Sequence, residues 1–523
     1  MSTISVRESG LREATTDWVA SLSVAADDVR REASARLDPR RRVQMGQFLT
    51  PSRIATFMAG MFDCRKSEIR ILDPGAGTGT LCAALVLALC QRPTRPAMIA
   101  VTAYEIDPLF VGYLRETLDR CRIACEAAAI SFRWNLVEDD FLEAGANALA
   151  GDLFARDERE RFDCAILNPP YRKIRTGSRE RSLFRSIGLE TTNLYTGFVA
   201  VVARLLVTNG EMVAITPRSF CNGPYFQPFR RYFLREMRFR RVHVFDTRDT
   251  AFAADKVLQE NVVFHAVKNT ETNPAVIVSA SAEPDDADLR MRTIQHEELI
   301  RPHDHHAVIH VVPEEDGEAT RDRISRLKGT LFGLGLTVST GRVVDFRVRD
   351  LLRSEPGTNT VPLIYPCHFG QGFVEWPKSE TRKPNALVLG PKAEELVVPE
   401  GYYVLTKRFS AKEERRRIVA AVYDPARVPA SQVAFENHLN YFHLRGGGLS
   451  ADLAKGLAAY LNSSLVDRYF RQFSGHTQVN ASDLRSLPYP THSEIIALGR
   501  RIGECFPTQE EVDSLVGEVL FHD

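Results

Sequence analysis

One short run of backbone-permissive residues limits the possible folds more than any other. Ile69-Arg70-Ile71-Leu72 reads as a buried strand that runs into Asp73-Pro74-Gly75-Ala76-Gly77-Thr78-Gly79-Thr80. Leu81 to Cys90 then reads as an apolar helix. Glycines at a strand-to-helix turn let a ligand approach the backbone closely at the helix N-terminus. A second apolar run, Ala100-Val101-Thr102-Ala103-Tyr104, ends in Glu105-Ile106-Asp107-Pro108. An acid at the end of that strand is placed to accept hydrogen bonds from a ribose diol. By itself the glycine loop is equally compatible with a nicotinamide enzyme.

A later motif narrows the chemistry. Phe162 to Leu167 reads as another buried strand and is followed by Asn168-Pro169-Pro170-Tyr171. Two consecutive prolines remove two backbone donors and fix φ, which leaves bare carbonyl oxygens at the turn. The residue before a proline is pushed toward an extended conformation, so Asn168 projects from the strand end. The expected result is a rigid pocket floor with an amide side chain, a free carbonyl and an aromatic face. A nucleobase with an exocyclic amino group fits it, and so does a planar side-chain amide.

The glycine loop, the ribose acid and the prolyl pocket, in this order, resemble the gamma class of N6-adenine DNA methyltransferases. Gly46-Gln47-Phe48-Leu49-Thr50-Pro51 resembles that family's cofactor-carboxylate motif, and Asp139-Asp140-Phe141 its cofactor-adenine segment. Ile215 to Phe220 and Val257 to Val262 are similar to later family segments, and the likeness to the PstI/BsuBI type of modification methylase runs from about Gly46 to about Pro490. The resemblance implies S-adenosylmethionine as cofactor. It assigns Thr50 to the methionine carboxylate and Glu105 to the ribose, with Ile106 beside it. Asp140 and Phe141 go to the cofactor adenine, and Asp73, Pro74, Gly75 and Gly77 border the methionine moiety. It implies a target adenine flipped out of double-stranded DNA, with Asn168 and the Pro169 carbonyl accepting its amino hydrogens. Pro170 shapes the turn and Tyr171 stacks on the base. A second stacking residue is expected near Asn261 to Phe264. The class also implies a separately encoded cognate restriction endonuclease as a partner.

Composition closes off other classes. A length of 523 residues allows two or three domains, and 26% charged residues with 44% hydrophobic ones is ordinary for globular chains. The longest apolar run, Leu81 to Cys90, is about half of what a membrane span needs. The N-terminus lacks the apolar core of a signal peptide. Nine cysteines without a Cys-x-x-Cys pair suggest reduced thiols and a cytoplasmic protein, although Cys121 and Cys125 share a helix face. Net charge is zero, so a nucleic-acid footprint must be local. Arg172, Lys173, Arg175, Arg179, Arg181 and Arg185 crowd the segment after the pocket. Arg40 to Arg42, Lys407-Arg408-Phe409 and Arg415 to Arg417 form further clusters. Arg172, Lys173, Arg175, Lys407 and Arg408 are the expected DNA contacts.

The expected fold class is α/β: a Rossmann-like, mostly parallel sheet followed by a mixed α+β target-recognition domain. The expected divisions are an N-terminal helical segment at 1–45, a methyltransferase domain at 46–290, a recognition domain at 291–490 and a helical tail at 491–523. Leu453, Leu457, Leu461 and Leu465 mark a helix from 453 to 471 whose stripe packs in the core. Ser474 to Arg485 is expected to be structural, with Ser482 or Asp483 capping a short helix and His476 and Gln478 held in place.

Two other sites fail on geometry. Adjacent histidines in His303-Asp304-His305-His306 project in different directions, so no metal site is expected. Only 45 residues precede Gly46, and no fused nuclease is expected. Two enzyme readings share the pocket, a protein glutamine N5-methyltransferase and an RNA methylase. Both usually lack a large domain after the catalytic core.

Overall fold

The protein is described from a computed structural model. It covers residues 24–38, 46, 48–150, 161–245, 260–268, 275–286, 289–302, 304, 307–311, 316–410, 414–473 and 478–522. Two compact units divide the chain, 1–313 and 314–523.

The first unit is built on a nine-stranded sheet. Its strands are β1 (Glu68–Pro74), β2 (Met98–Tyr104), β3 (Ser131–Val137), β4 (Phe162–Leu167), β5 (Leu206–Pro217), β6 (Met237–Phe245), β7 (Asn261–Lys268), β8 (Val276–Ser281) and β9 (Arg290–Ile294). Their order is β3-β2-β1-β4-β5-β7-β6-β8-β9. Neighbours from β3 through β5 pair parallel, whereas β7 runs antiparallel to both β5 and β6. Because β1 and β4 are buried on both faces, their sequences read as near-continuous apolar runs. At the edge, Ser131, Arg133 and Asn135 of β3 reach solvent.

Helices cover both faces. On one side lie α1 (Ser52–Ala59), α2 (Thr80–Cys90) and α3 (Pro108–Ala127). On the other lie α4 (Phe141–Ala150), α5 (Arg179–Ser186), α6 (Leu194–Leu205) and α7 (Gln227–Glu236). Helix α2 has almost no polar face because it is buried nearly all round. Cys121 and Cys125 both lie buried on α3, and the Cys125 sulfur is 3.7 Å from that of Cys90.

The sequence divisions near 290 and 490 do not coincide with the compact units. Strand β9 pairs with β8 and so stays with the first sheet. The final helices, His492–Arg500 and Gln509–Phe521, pack on Ala451–Asn462 inside the second unit. That crossing is close: a Cβ on Gly456 would meet the Ile495 carbonyl oxygen at 1.9 Å, and one on Gly499 the Asp452 oxygen at 1.8 Å.

The second unit combines a four-stranded and a five-stranded sheet with these helices, a mixed α+β architecture. Leu453, Leu457, Leu461 and Leu465 are all buried, but the expected helix breaks at Ser463, whose backbone is extended. Ser463 still receives support, since its hydroxyl donates to the Tyr460 carbonyl at 2.7 Å. The expected N-terminal helix is described over 24–36. Arg40 to Arg42, Val257 to Gln259, His303, His305, His306 and Ser474 to Thr477 lie outside the described residues. Among the described residues, no helix is long and apolar enough to cross a membrane.

Candidate active site

The sheet order puts β1 beside β4, with the following strands running outward in opposite directions. Ligands in open α/β sheets bind above such a switch point, at the carboxyl ends of the strands. The glycine loop after β1, Glu105 after β2 and Asn168 after β4 all emerge there. They border one cavity of about 160 Å³, whose lining includes Gly75, Gly77, Glu105, Ile106, Asp140, Phe141, Asn168, Pro170 and Arg172.

Each side chain has a local cause for its position. The Gly75 and Ala76 amides donate to the Tyr104 carbonyl at 2.9 and 2.8 Å, which ties the loop to the end of β2. The Glu105 carboxylate accepts from the Gly77 and Asp107 amides, each at 2.7 Å. Burial raises its pKa, while the Asp107 and Gly77 donors pull it back. Asp140 stands just before α4 and accepts from the Leu142 amide at 2.8 Å, as a capping carboxylate does. Phe141 is buried edge-on against Tyr104 and 5.3 Å from Phe198, whereas Ile106 is 55% exposed.

Asn168 is held from behind. Its Nδ2 donates to the Phe48 carbonyl at 2.8 Å and to the Thr50 hydroxyl at 3.0 Å. A carbonyl can only accept, so this contact fixes which end of the amide is nitrogen and leaves Oδ1 as the outward acceptor. The motif carrying Phe48 and Thr50 hooks onto the prolyl loop, because the Tyr171 amide donates to the Gly46 carbonyl at 3.1 Å. Only glycine fits at 46: φ is +66° and a Cβ would sit 2.9 Å from the Tyr171 backbone.

Thr50, Asp73, Pro74, Pro169 and Tyr171 stand behind the lining. The Tyr171 hydroxyl donates to the Ile215 carbonyl at 3.3 Å, and its ring lies 5.8 Å from Phe48 and 6.1 Å from Tyr195. Asp73 is fully buried, and neither of its oxygens closes a hydrogen bond of normal geometry. Burial pushes its pKa up to about 7, and the Glu105 charge adds to the rise against the Cys82 amide.

The sequence pointed to Asn261 through Phe264 for a second aromatic. Phe264 instead packs in the core against Phe220, Phe233 and Phe239, and the aromatic neighbours of Tyr171 include Phe48 and Tyr195. Phe48 was within reach of sequence reasoning, since it lies in the Gly46 to Pro51 motif. Tyr195 carried no local signal.

The expected DNA contacts divide between the units. In the first, Arg172 pairs with Glu180 at 2.9 Å, while Lys173 and Arg175 are exposed. In the second, Lys407 is half-buried with its amine 5.9 Å above the Phe369 ring, and Arg408 donates to the Asn437 carbonyl at 3.2 Å. The neighbouring Arg417 is buried with its amide on Asp467, so that part of the arginine cluster supports the fold.

The family described as Eco57I restriction-modification methylase matches residues 113–252. Type II methyltransferase M.PstI of Providencia stuartii is 40% identical over 98% of this chain and 99% of its own. Type II methyltransferase M.BsuBI of Bacillus subtilis is 42% identical over 92% and 95%. Among solved structures, the one described as "cryoEM structure DrdV-DNA complex" aligns with a TM-score of 0.47 and 14% identity, over 92% of this chain and 59% of that one.

Proposed function

The chain belongs to the methyltransferases of type II restriction-modification systems, and from that premise we propose that it methylates adenine at N6 in double-stranded DNA. The methyl donor in this reading is S-adenosylmethionine, which supplies an electrophilic methyl group on a sulfonium. The fit rests on the buried Asp73 carboxyl and the lining Glu105, which offer counter-charge and hydrogen-bond acceptors. Glu105 keeps lone pairs for ribose hydroxyls beyond its two amide donors. Asp140 and Phe141 serve the cofactor adenine, Ile106 lies beside Glu105 at the ribose, and Thr50 serves the methionine carboxylate.

The observation that carries the reading is the Asn168 amide, whose nitrogen is occupied by Phe48 and Thr50 and whose oxygen is left to accept. With the Pro169 carbonyl, it accepts the two amino hydrogens of a target base. That geometry draws the amino lone pair out of conjugation and toward the methyl group, so catalysis is chiefly positioning and polarisation. The base must leave the duplex, at a cost of a few kcal/mol. Stacking on Tyr171 offsets about 1–3 kcal/mol of it. Lys173, Arg175, Lys407 and Arg408 contribute phosphate contacts that hold the duplex without reading it. A cognate endonuclease encoded separately is the expected functional partner, and the cytoplasm the expected compartment.

The test is to incubate the purified protein with labelled S-adenosylmethionine and duplex DNA, then digest to nucleosides. Label on N6-methyladenosine is expected. Label confined to cytosine N4, to RNA or to protein glutamine overturns the assignment.

A further inference from the structure

Asp73 is a fully buried carboxyl in the first unit's site. It closes β1 opposite Ala103 of β2, fully buried beneath the glycine loop. The groups facing it are the Cys82 amide and thiol on α2 and Glu105 at the end of β2, and no cationic side chain of the described residues is among them. Glu105 has two amide donors at 2.7 Å, whereas Asp73 meets only the Cys82 amide and thiol, at poorer geometry. Two carboxyls therefore share one water-poor corner, and Glu105 is the better solvated by the backbone. Like charges in such a corner do not both ionise near neutrality, and the less solvated group keeps the proton.

This asymmetry bears on ligand charge and rests on the cofactor reading above. S-adenosylmethionine carries a sulfonium in addition to its amino acid group, and S-adenosylhomocysteine, left after transfer, lacks that charge. We propose that Asp73 is a proton-linked counter-charge: it holds a proton in the free protein and releases it when the sulfonium cofactor enters the cavity lined by Glu105, Gly75 and Gly77. The balance is simple. The carboxylic acid becomes a carboxylate, the proton passes to solvent, and the cationic ligand offsets the new negative charge. The neutral-sulfur product does not offset it, so Asp73 takes the proton back and product affinity falls relative to cofactor. Asp73 is thus a positioning residue that acts on charge discrimination from behind the loop.

Isothermal titration of the full chain in two buffers of different ionisation enthalpy measures the protons exchanged. At pH 7, S-adenosylmethionine should release about half a proton, because a group titrating at about 7 is then half protonated. Release should grow toward pH 6 and vanish above pH 8.5, and S-adenosylhomocysteine should release markedly less at every pH. Asp73→Asn should abolish the release and narrow the affinity gap between the two ligands. Wild-type binding of S-adenosylmethionine without proton release, or equal release with both ligands, overturns the proposal without any variant. Equal release from wild type and a folded Asp73→Asn overturns it as well. Failure of both ligands to bind overturns the cofactor reading itself and this inference with it.

Discussion

The Asn168 side-chain nitrogen lies 3.0 Å from the Thr50 hydroxyl oxygen, although 118 residues separate them in the chain. A residue assigned to the target base therefore touches one assigned to the cofactor. The two halves of the proposed reaction share a hydrogen bond, and displacement of either residue moves the other.

Asn168→Ala should reduce methyl transfer on the order of 10²–10³-fold, as removal of a preorganised polar group does. Cofactor affinity should weaken only slightly through the lost Thr50 contact. Single-turnover transfer and separate cofactor titration check this split. Retention of most activity removes Asn168 from the mechanism.

Thr50→Val keeps the side-chain shape but deletes an acceptor for Asn168. We expect a fall in kcat of about ten- to hundredfold from misplacement of the amide, together with a raised KM for the cofactor. A change in KM alone would mean that the Asn168 contact is idle.

Tyr171→Phe should be mild, because the 3.3 Å bond from its hydroxyl to the Ile215 carbonyl is long and an ordinary hydrogen bond contributes about 1 kcal/mol. Tyr171→Ala should impair the reaction far more on duplex than on substrates with a mismatched target base, where flipping costs less. Equal losses on both substrates would assign the ring to packing only.

The buried Asp73 links stability to pH. Its folded pKa, about 7, lies above the ordinary carboxyl value of 3.8, so the folded state binds a proton that the unfolded chain has shed. Its contribution to stability is therefore fully present below about pH 4 and is lost as pH rises to about 7. Above that window Asp73→Asn should be more stable than wild type, by at most about 4 kcal/mol from the shift. Melting temperatures of the ligand-free pair from pH 5 to 8.5 test the difference, and parallel curves would refute it.

The segment from Gln478 onward is tied to its own unit. The Val479 amide donates to the Arg408 carbonyl at 2.7 Å, and Asn440 donates to the Val479 carbonyl at 2.8 Å. Asn440→Ala would leave that buried carbonyl unpaired, at about 1–3 kcal/mol. A lower melting temperature with an unchanged methylated motif is expected. Gln478→Ala should act in the same direction, and a stable variant that methylates new sequences would make this strand part of the reading surface.

Much of the first unit is legible in the sequence because its signals are local. Strands β1 and β4 are buried on both faces and are written as apolar runs, and turn chemistry follows each one. The Asn480 to Ser486 segment shows the limit of such signals. A short helix was expected there, with Ser482 or Asp483 as its cap. The helix is Ala481–Ser486, Asn480 holds the N-cap position, and Asp483 reaches back to the Asn480 amide at 2.8 Å. The expectation named Asp483 but not Asn480 and placed the cap too late in the chain, because backbone geometry decides where the helix starts.

By itself the sequence determined which residues are candidates for the chemistry: a glycine loop, an acid at the end of the next strand and an amide before two prolines each depend on near neighbours in the chain. Tertiary structure decided how they act. The pinning of Asn168 by Phe48 and Thr50, the burial of Asp73 beside Glu105 and the removal of Phe264 into the core all join residues far apart in sequence. Hydrogen-bond supply and desolvation depend on what surrounds a group in space, and no local pattern of residues encodes that.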